Sequence, residues 1–483
     1  MQDRIKSPNI VLIITDQQRL DTIAANGYEH MITPNIDKLV KRGAVFENMY
    51  VTAPSCAPSR ASLFSGTYPH TNGVFRNDEP WAYCFTEELS KHGYRCVNVG
   101  KMHTMPIEGA FGFHERHVTE NKDRVHPSLP FYLDNWDKAI WARKGYKPSR
   151  NKHYSEYPDY HQRLGAFVWE QEEDLHADVF VGQTACWWLD RYPGDEPFFL
   201  EIGFPGPHPP YDPTQEYIDL YLDRDLPEPI RDYDFDSQPA PLRALRQNHI
   251  ERGHDAVIHL AEPTQDQLRR QRAHYYANVT MIDTQVGEIV NALTARGVLD
   301  DTVIIFTTDH GDCLNDHGHS QKWNMYEQSV HIPAVICWPD NIKAGTKVPD
   351  LISLMDFSPT ILEIAGVEVP SWMEAKSLIG LLNGQESEPR KKVFSEHSND
   401  AILAGTDYMT MIRDDAWKMV HFVDCDEGQL FNLEDDPGER FNLWAESMHL
   451  NTRQRLCDEI LNWRIESSRK TQGFVRMLSQ GRR

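Results

Sequence analysis

Apolar residues in this chain gather in short continuous runs separated by polar, Gly- and Pro-bearing stretches. Asn9-Ile10-Val11-Leu12-Ile13-Ile14-Thr15 is the first run, the pattern of a strand buried on both faces of a parallel sheet. Val45–Val51, Tyr94–Val99, Phe198–Phe204, Thr302–Thr308 and His331–Trp338 predict further strands. Pro34–Arg42 predicts a short helix, with Pro near its start and Gly43 just past its end. From about Gln265 to Arg296 the pattern is that of a long helix stopping at Gly297, with Met281, Val286, Ile289, Val290 and Leu293 on a broad apolar face. Leu351–Ala365 predicts another helix, ending at Gly366. Strands alternating with helices predict an α/β fold: a mostly parallel sheet with helices on both sides.

Past this alternation the pattern changes. Residues 383–389 are polar and read as a linker, which divides the chain into a main domain, 1–384, and a smaller C-terminal α+β subdomain, 385–483. In the latter, Tyr408–Ile412, Trp417–Val423 and Gln429–Leu433 predict strands of a four-stranded antiparallel sheet, closed by a helix over Met448–Ser467. The basic tail Arg469–Arg483 reads as a subunit arm or as disordered chain. The Pro- and Asp-rich stretch Leu222–Pro263 is long for a connection and reads as a lid or an oligomer contact, so a homo-oligomer is one open state. Residues 127–169 are rich in Tyr, Trp and His, for stacking on a sugar or aromatic ring or simply for packing.

Composition narrows the partners. The 483 residues are 25% charged and 40% hydrophobic with a net charge of -23, which argues against nucleic-acid or acidic-membrane partners. It would also repel an anionic substrate, so an anion site here needs a local positive cluster or a metal. The first eight residues carry no apolar stretch, and no run is of membrane-spanning length. Eight scattered cysteines, without a Cys-x-x-Cys pair, indicate neither a disulfide framework nor a zinc site. A cytoplasmic location is expected, or a periplasmic one if a signal has been trimmed. Asn278-Val279-Thr280 fits a glycosylation pattern but falls inside the long predicted helix.

Candidate chemistry lies where such sheets bind ligands, beyond the carboxyl ends of the strands. Asp16, Lys101 with His103, His208, and Asp309 with His310 all follow predicted strands. Singly each is an ordinary loop residue; four on one rim predict a site. Asp16, Asp309 and His310 suit a divalent cation, and a mainly carboxylate shell favours calcium, with magnesium or manganese behind it. In Ser55-Cys56-Ala57-Pro58-Ser59-Arg60, Pro58 suits the first turn of a helix. Cys56 then sits just before a positive helix terminus, with Arg60 able to lean back toward it, a setting for chemistry on an anion. The alternative is a small buried cysteine beside a helix-start proline.

Cys56-Ala57-Pro58-Ser59-Arg60 followed by Leu63-Phe64-Ser65-Gly66 resembles the sulfatase family. Gly100-Lys101-Met102-His103, Pro207-His208-Pro209, Asp309-His310-Gly311-Asp312 with Lys322, and the hairpin residues Trp417-Lys418 and Leu430–Glu439 are similar to later segments of that family, so the likeness covers nearly the whole chain. The resemblance implies an alkaline-phosphatase-like architecture. It further implies that a formylglycine-generating enzyme oxidises Cys56 to formylglycine, and that calcium is held by Asp16, Gln17, the formylglycine oxygen at position 56, Asp309 and His310. The family usually carries Asp-Asp where this chain has Asp16-Gln17; choline sulfatases and phosphonate monoester hydrolases also look like Asp-Gln there.

In the mechanism the resemblance implies, Arg60 and the metal activate one hydroxyl of the hydrated aldehyde to attack sulfur. His208 and Lys322 protonate the leaving oxygen and balance the sulfuryl charge, while Lys101 braces the diol. His103 deprotonates the second hydroxyl to expel sulfate. Asn77 touches substrate or is a turn asparagine. The expected substrate is a sulfate ester of a carbohydrate or an aryl alcohol. A phosphonate monoester or phosphodiester hydrolase is the nearest alternative, and a silent binding protein that keeps its thiol is a third.

Overall fold

The computed structural model describes residues 7–124, 129, 131–384 and 390–481. Nine strands form one sheet: β1 (Asn9–Asp16), β2 (Ala44–Tyr50), β3 (Arg95–Gly100), β4 (Glu115–Val118), β5 (Phe198–Pro207), β6 (Thr302–Thr308), β7 (His331–Ile332), β8 (Ala334–Cys337) and β9 (Thr346–Ser353). Their spatial order is β4-β3-β5-β1-β6-β8-β2-β7, with β9 pairing β2. The β4–β6 half is parallel throughout, while β8 runs antiparallel to both β6 and β2. The expected mixed, mostly parallel sheet is therefore present.

β1 shows why the apolar runs are continuous. Ile10, Leu12 and Ile14 enter one core and Val11 and Ile13 the other, because successive side chains point to opposite faces. The Gln265–Arg296 helix covers the second face with Ile282, Val286, Ile289 and Leu293. Its Thr264 capping box and left-handed Gly297 set both ends where the sequence places them. Helix α1, Pro34–Arg42, matches its predicted bounds.

Helix α2, Cys56–Ser65, lies on the other face. All ten of its residues are buried, so it has no polar face and left no amphipathic signal. Cys56 is its first residue, so the helix starts one position earlier than expected, with Ser55 as N-cap.

Three expectations need correction. Leu351–Ser353 is not helical: Leu351, Ile352 and Ser353 pair with Asn48, Met49 and Tyr50 of β2, and the helix covers only Phe357–Ile364. Partner strands, which local periodicity does not sense, decide such a short apolar run. The run His331–Trp338 splits into β7 and β8 at Pro333, which lacks the N–H a ladder needs. The last helix does not stop at Ser467: it runs over Leu450–Gly481, taking in the described part of the basic tail, with Trp463 stacked on Phe394 and Phe474 on Trp372.

The smaller sheet, β10 (Val393–Ser398), β11 (Tyr408–Arg413), β12 (Trp417–Phe422) and β13 (Gln429–Asn432), is antiparallel in sequential order. Glu396 of β10 donates its N–H to the Thr52 carbonyl at 2.8 Å, tying this sheet to the segment that leads into α2. The boundary expected at 384/385, most of the linker, residues 127, 128 and 130 of the aromatic-rich stretch, and the extreme N-terminus lie outside the described residues. Among the described residues no helix is long and apolar enough to cross a membrane. All eight cysteines are free, and Asn278 is buried within its helix.

Candidate active site

Parallel register brings the strand-end residues together. Thr15 of β1 lies opposite Thr308 of β6, so Asp16 and Asp309 emerge side by side. Asp16 lies opposite Pro207 of β5, which delivers His208, and Gly100 of β3 lies opposite Gly203, which delivers Lys101. The N-terminus of α2 points Cys56 at this rim.

The ligand atoms of Asp16, Cys56, Asp309 and His310 all lie within 4.8 Å of one another, and all four residues are buried. His310 donates Nδ1–H to the Gly311 carbonyl at 3.0 Å, so in the neutral ring Nε2 keeps its lone pair. Burial, more than any neighbour, holds that ring neutral. Nε2 faces Cys56 Sγ at 3.2 Å, Asp309 Oδ1 at 3.6 Å and Asp16 Oδ1 at 3.7 Å. Four electron-pair donors thus converge on one small buried volume, and two of them are carboxylates. Such a donor set calls for a cation. Carboxylates plus one imidazole suit a hard divalent metal ion.

Fixed cations surround the cluster. Lys101 pairs with Asp16. Arg60 Nε reaches Asp309 Oδ2 at 2.7 Å and Nη1 the Lys101 carbonyl at 2.6 Å. Arg60 does not lean back on Cys56 as expected. At the fifth position of a buried helix it turns to the carboxylate and acts as a brace for Asp309. Lys322 Nζ donates to Gln17 Oε1 at 2.8 Å and lies 3.1 Å from Cys56 Sγ. Gln17 also bonds Asp312 Oδ2 at 2.6 Å, so its amide is held with the oxygen toward the site.

Burial works against Asp16 ionising, but Lys101, then His208, Lys322 and Arg60, outweigh it and hold the carboxyl well below its usual range. Burial likewise opposes charge on Lys322, yet Cys56, Asp16, Asp255 and Asp309 raise it. For Cys56, burial and Asp16 push the thiol up to about 11, against Lys322 and Lys101. A thiol held protonated at neutral pH is a poor nucleophile.

His103 has a positive φ of 62°, its N–H bonds Glu120, and its buried Nδ1 has no hydrogen-bond partner among the described residues. Burial, then Lys101, lowers its pKa well below the ordinary histidine value, which keeps the ring neutral and its lone pair free. His208 donates Nδ1–H to the Pro209 carbonyl at 2.7 Å. Asn77 Oδ1 accepts the Ala57 N–H at 3.4 Å, next to Cys56. All the strand-end residues singled out in the sequence thus meet at one rim.

Two residues carry roles that the sequence did not assign, Asp312 having stood only as the last residue of the Asp309-His310-Gly311-Asp312 segment. Asp312 orients Gln17, and it also accepts from Tyr211 at 2.7 Å. Asp255 lies 3.5 Å from His208 and comes from the Leu222–Pro263 stretch, whose charged residues carry no spacing signal. That stretch folds against the loop after β6, with Ile230 N–H on Asp316 at 2.7 Å and Gln238 on the His317 carbonyl at 2.9 Å. In the aromatic-rich stretch Trp136, Tyr154, Phe167 and Trp169 pack inside. Trp141 and Tyr146 instead line a cavity of about 620 Å³ with Arg124 and Arg150.

The Sulfatase family model matches residues 8–367, and the model described as N-sulphoglucosamine sulphohydrolase, C-terminal, matches residues 315–466. The chain is 33% identical to an arylsulfatase of Clostridium perfringens, with 90% of each chain covered. It is 31% identical to a choline-sulfatase of Rhizobium meliloti, covering 90% of this chain and 82% of that one. Among solved structures, the phosphonate monoester hydrolase of Agrobacterium radiobacter superposes with a TM-score of 0.77 at 26% identity, covering 95% and 96% of the two chains.

Proposed function

From the premise that this chain belongs to the sulfatase family and is a sulfate ester hydrolase, we propose that it acts through a formylglycine made from Cys56 and one bound divalent cation, calcium first. The observation that carries this reading is the convergence of Asp16, Cys56, Asp309 and His310 on one buried volume. Asp16, Asp309, His310 and the amide oxygen of Gln17 would hold the cation, together with an oxygen at position 56. When bound, the cation supplies Lewis acidity and offsets the clustered negative charge.

The chain's own residues do the rest. Unmodified, Cys56 is a protonated thiol and a weak nucleophile; oxidised to an aldehyde and hydrated, position 56 offers two hydroxyls in its place. Arg60 fixes Asp309, and Lys101 fixes Asp16. Lys322 faces position 56 and stabilises negative oxygens there. His208 gives a proton to the leaving alcohol, and His103, held neutral, takes one from position 56. Asn77 steadies the backbone beside Cys56 through the Ala57 N–H and is read as a substrate contact. Lys101, Lys322 and the cation make an anion site inside a chain of net charge -23.

The substrate class we favour is a carbohydrate or aryl sulfate. A second reading, phosphonate monoester or phosphodiester hydrolysis, is favoured by Asp16-Gln17 and by the likeness to the Agrobacterium enzyme. Rates on an aryl sulfate and the matching aryl phosphonate ester decide between them: a faster sulfate supports the first, a faster phosphonate the second. Mass spectrometry of the Cys56 peptide from active enzyme tests the maturation; an intact thiol in fully active protein overturns it.

A further inference from the structure

Asp255 sits in a turn of unusual backbone conformation. His254–Val257 is a tight antiparallel hairpin, with His254 and Val257 exchanging both backbone hydrogen bonds at 3.1 and 2.8 Å. Its two turn residues, Asp255 and Ala256, both have positive φ, 50° and 63°. Glycine or asparagine adopts that conformation far more readily than alanine. Strain of this kind persists where the surrounding structure holds a side chain for use.

Two arginines hold Asp255 by one oxygen. Arg124 Nη1 and Arg150 Nη2 reach Oδ1 at 2.7 and 3.1 Å. Arg150 is fixed in turn by Asp123, with Nε to Oδ2 at 2.7 Å and Nη2 to Oδ1 at 3.1 Å. The second oxygen, Oδ2, is left for His208 Nε2 at 3.5 Å. His208 already spends its Nδ1 proton on the Pro209 carbonyl. A proton on Nε2 is therefore the second proton of an imidazolium, and that ring faces an acceptor at each nitrogen.

We infer that Asp255, clamped by Arg124 and Arg150, is the positioning residue whose charge beside His208 stabilises the imidazolium that delivers the Nε2 proton to the leaving oxygen. This rests on the reading of His208 as general acid. A position-56 oxygen forms the new bond to sulfur as the ester S–O bond breaks with its electron pair going to the leaving oxygen; that oxygen takes the Nε2 proton, and neutral imidazole remains hydrogen-bonded to the Pro209 carbonyl. Asp255 stays ionised throughout, and His208 regains a proton through solvent, balanced by the proton His103 takes from position 56. Burial and then Lys322 hold His208 well below the ordinary histidine value, against Asp16 and Asp255, so the resting ring is neutral and the imidazolium that Asp255 favours is the minor form carrying the proton. The three elements involved, residues 123–124, Arg150 and the 254–257 hairpin, lie far apart in sequence.

The test is leaving-group dependence of kcat/KM on the active full chain, using nitrophenyl, phenyl and alkyl sulfates. Loss of an acid hurts poor leaving groups most, whereas general damage lowers all rates alike. For Asp255→Asn the nitrophenyl-to-alkyl ratio of kcat/KM should rise at least about tenfold, in the same direction as for His208→Gln. A steep series for His208→Gln with an unchanged one for Asp255→Asn overturns the role of Asp255 alone. An unchanged series for His208→Gln overturns the general-acid reading and this inference with it. Should Asp255→Asn not fold, the ratio is read on Arg150→Gln, which keeps the carboxylate but loosens its clamp. A rise there supports the inference and no change overturns it.

Discussion

Asp16 and Asp309 stand at the same height on adjacent parallel strands, each gripped by its own cation, Lys101 for the first and Arg60 for the second. The carboxylates are thus set before any ion arrives. A divalent metal bound there should both enable turnover and stabilise the fold. Chelation should abolish activity, with calcium restoring more than magnesium or manganese. Saturating metal at a hundredfold its Kd should add about 2.7 kcal/mol to unfolding free energy. Thermal melts with and without metal measure this, and Asp309→Asn should erase most of the metal-dependent shift.

Replacing Cys56 with Ala should cost at least about a thousandfold in kcat, since it removes the attacking group itself. The fold should survive, because replacing one buried thiol by hydrogen removes a single heavy atom. Steady-state rates beside a circular dichroism melt separate these. Substantial activity in Cys56→Ala would sink the proposed chemistry.

Much of this was legible in the sequence because it is local. β1, β6, α1 and the Gln265–Arg296 helix carry strong apolar patterns with Gly or Pro at their ends. The chemistry-bearing residues sit directly after such strands, so locating the strands locates Asp16, Lys101, His208 and Asp309. Contacts between distant segments were not legible. The extended state of Leu351–Ser353 depends on β2, and the direction of Arg60 on a carboxylate at the end of β6. Asp255 depends on a hairpin held by arginines some hundred residues earlier. α2 was found through its proline and its motif, since a fully buried helix has no polar face to reveal its period.

A buried triad links the two sheets. Lys418 Nζ contacts Glu327 at 2.8 Å and Glu439 at 2.7 Å, and Glu439 accepts the Glu327 N–H at 2.7 Å. Burial, against Lys418, pushes Glu439 up to about 7. Lys418→Met leaves two carboxyl groups buried without their cation, a loss of about 3–5 kcal/mol. Urea unfolding measures it. Adding Glu327→Gln and Glu439→Gln should recover most of that loss, because the cost lies in the orphaned charge. No recovery would show that Lys418 stabilises by packing alone.

Glu201 lies in the middle of β5, fully buried, with Asn98 on one oxygen and no hydrogen-bond partner among the described residues on the other. Burial pushes its carboxyl up from 4.5 to about 8, with Arg60 and Asn98 opposing. The folded state therefore binds this proton more tightly than the unfolded chain. The resulting stability is fully present below pH 4.5 and is lost as pH rises through 8. Each pH unit between those two values is worth about 1.4 kcal/mol, so several kcal/mol are at stake. Glu201→Gln keeps the shape and the neutral form, so it should remove this component. Wild type should lose stability between about pH 5 and 8 faster than the variant, and no faster above that, as read from urea midpoints at successive pH values. Parallel curves would mean that Glu201 is ionised in the fold, its charge balanced by Arg60.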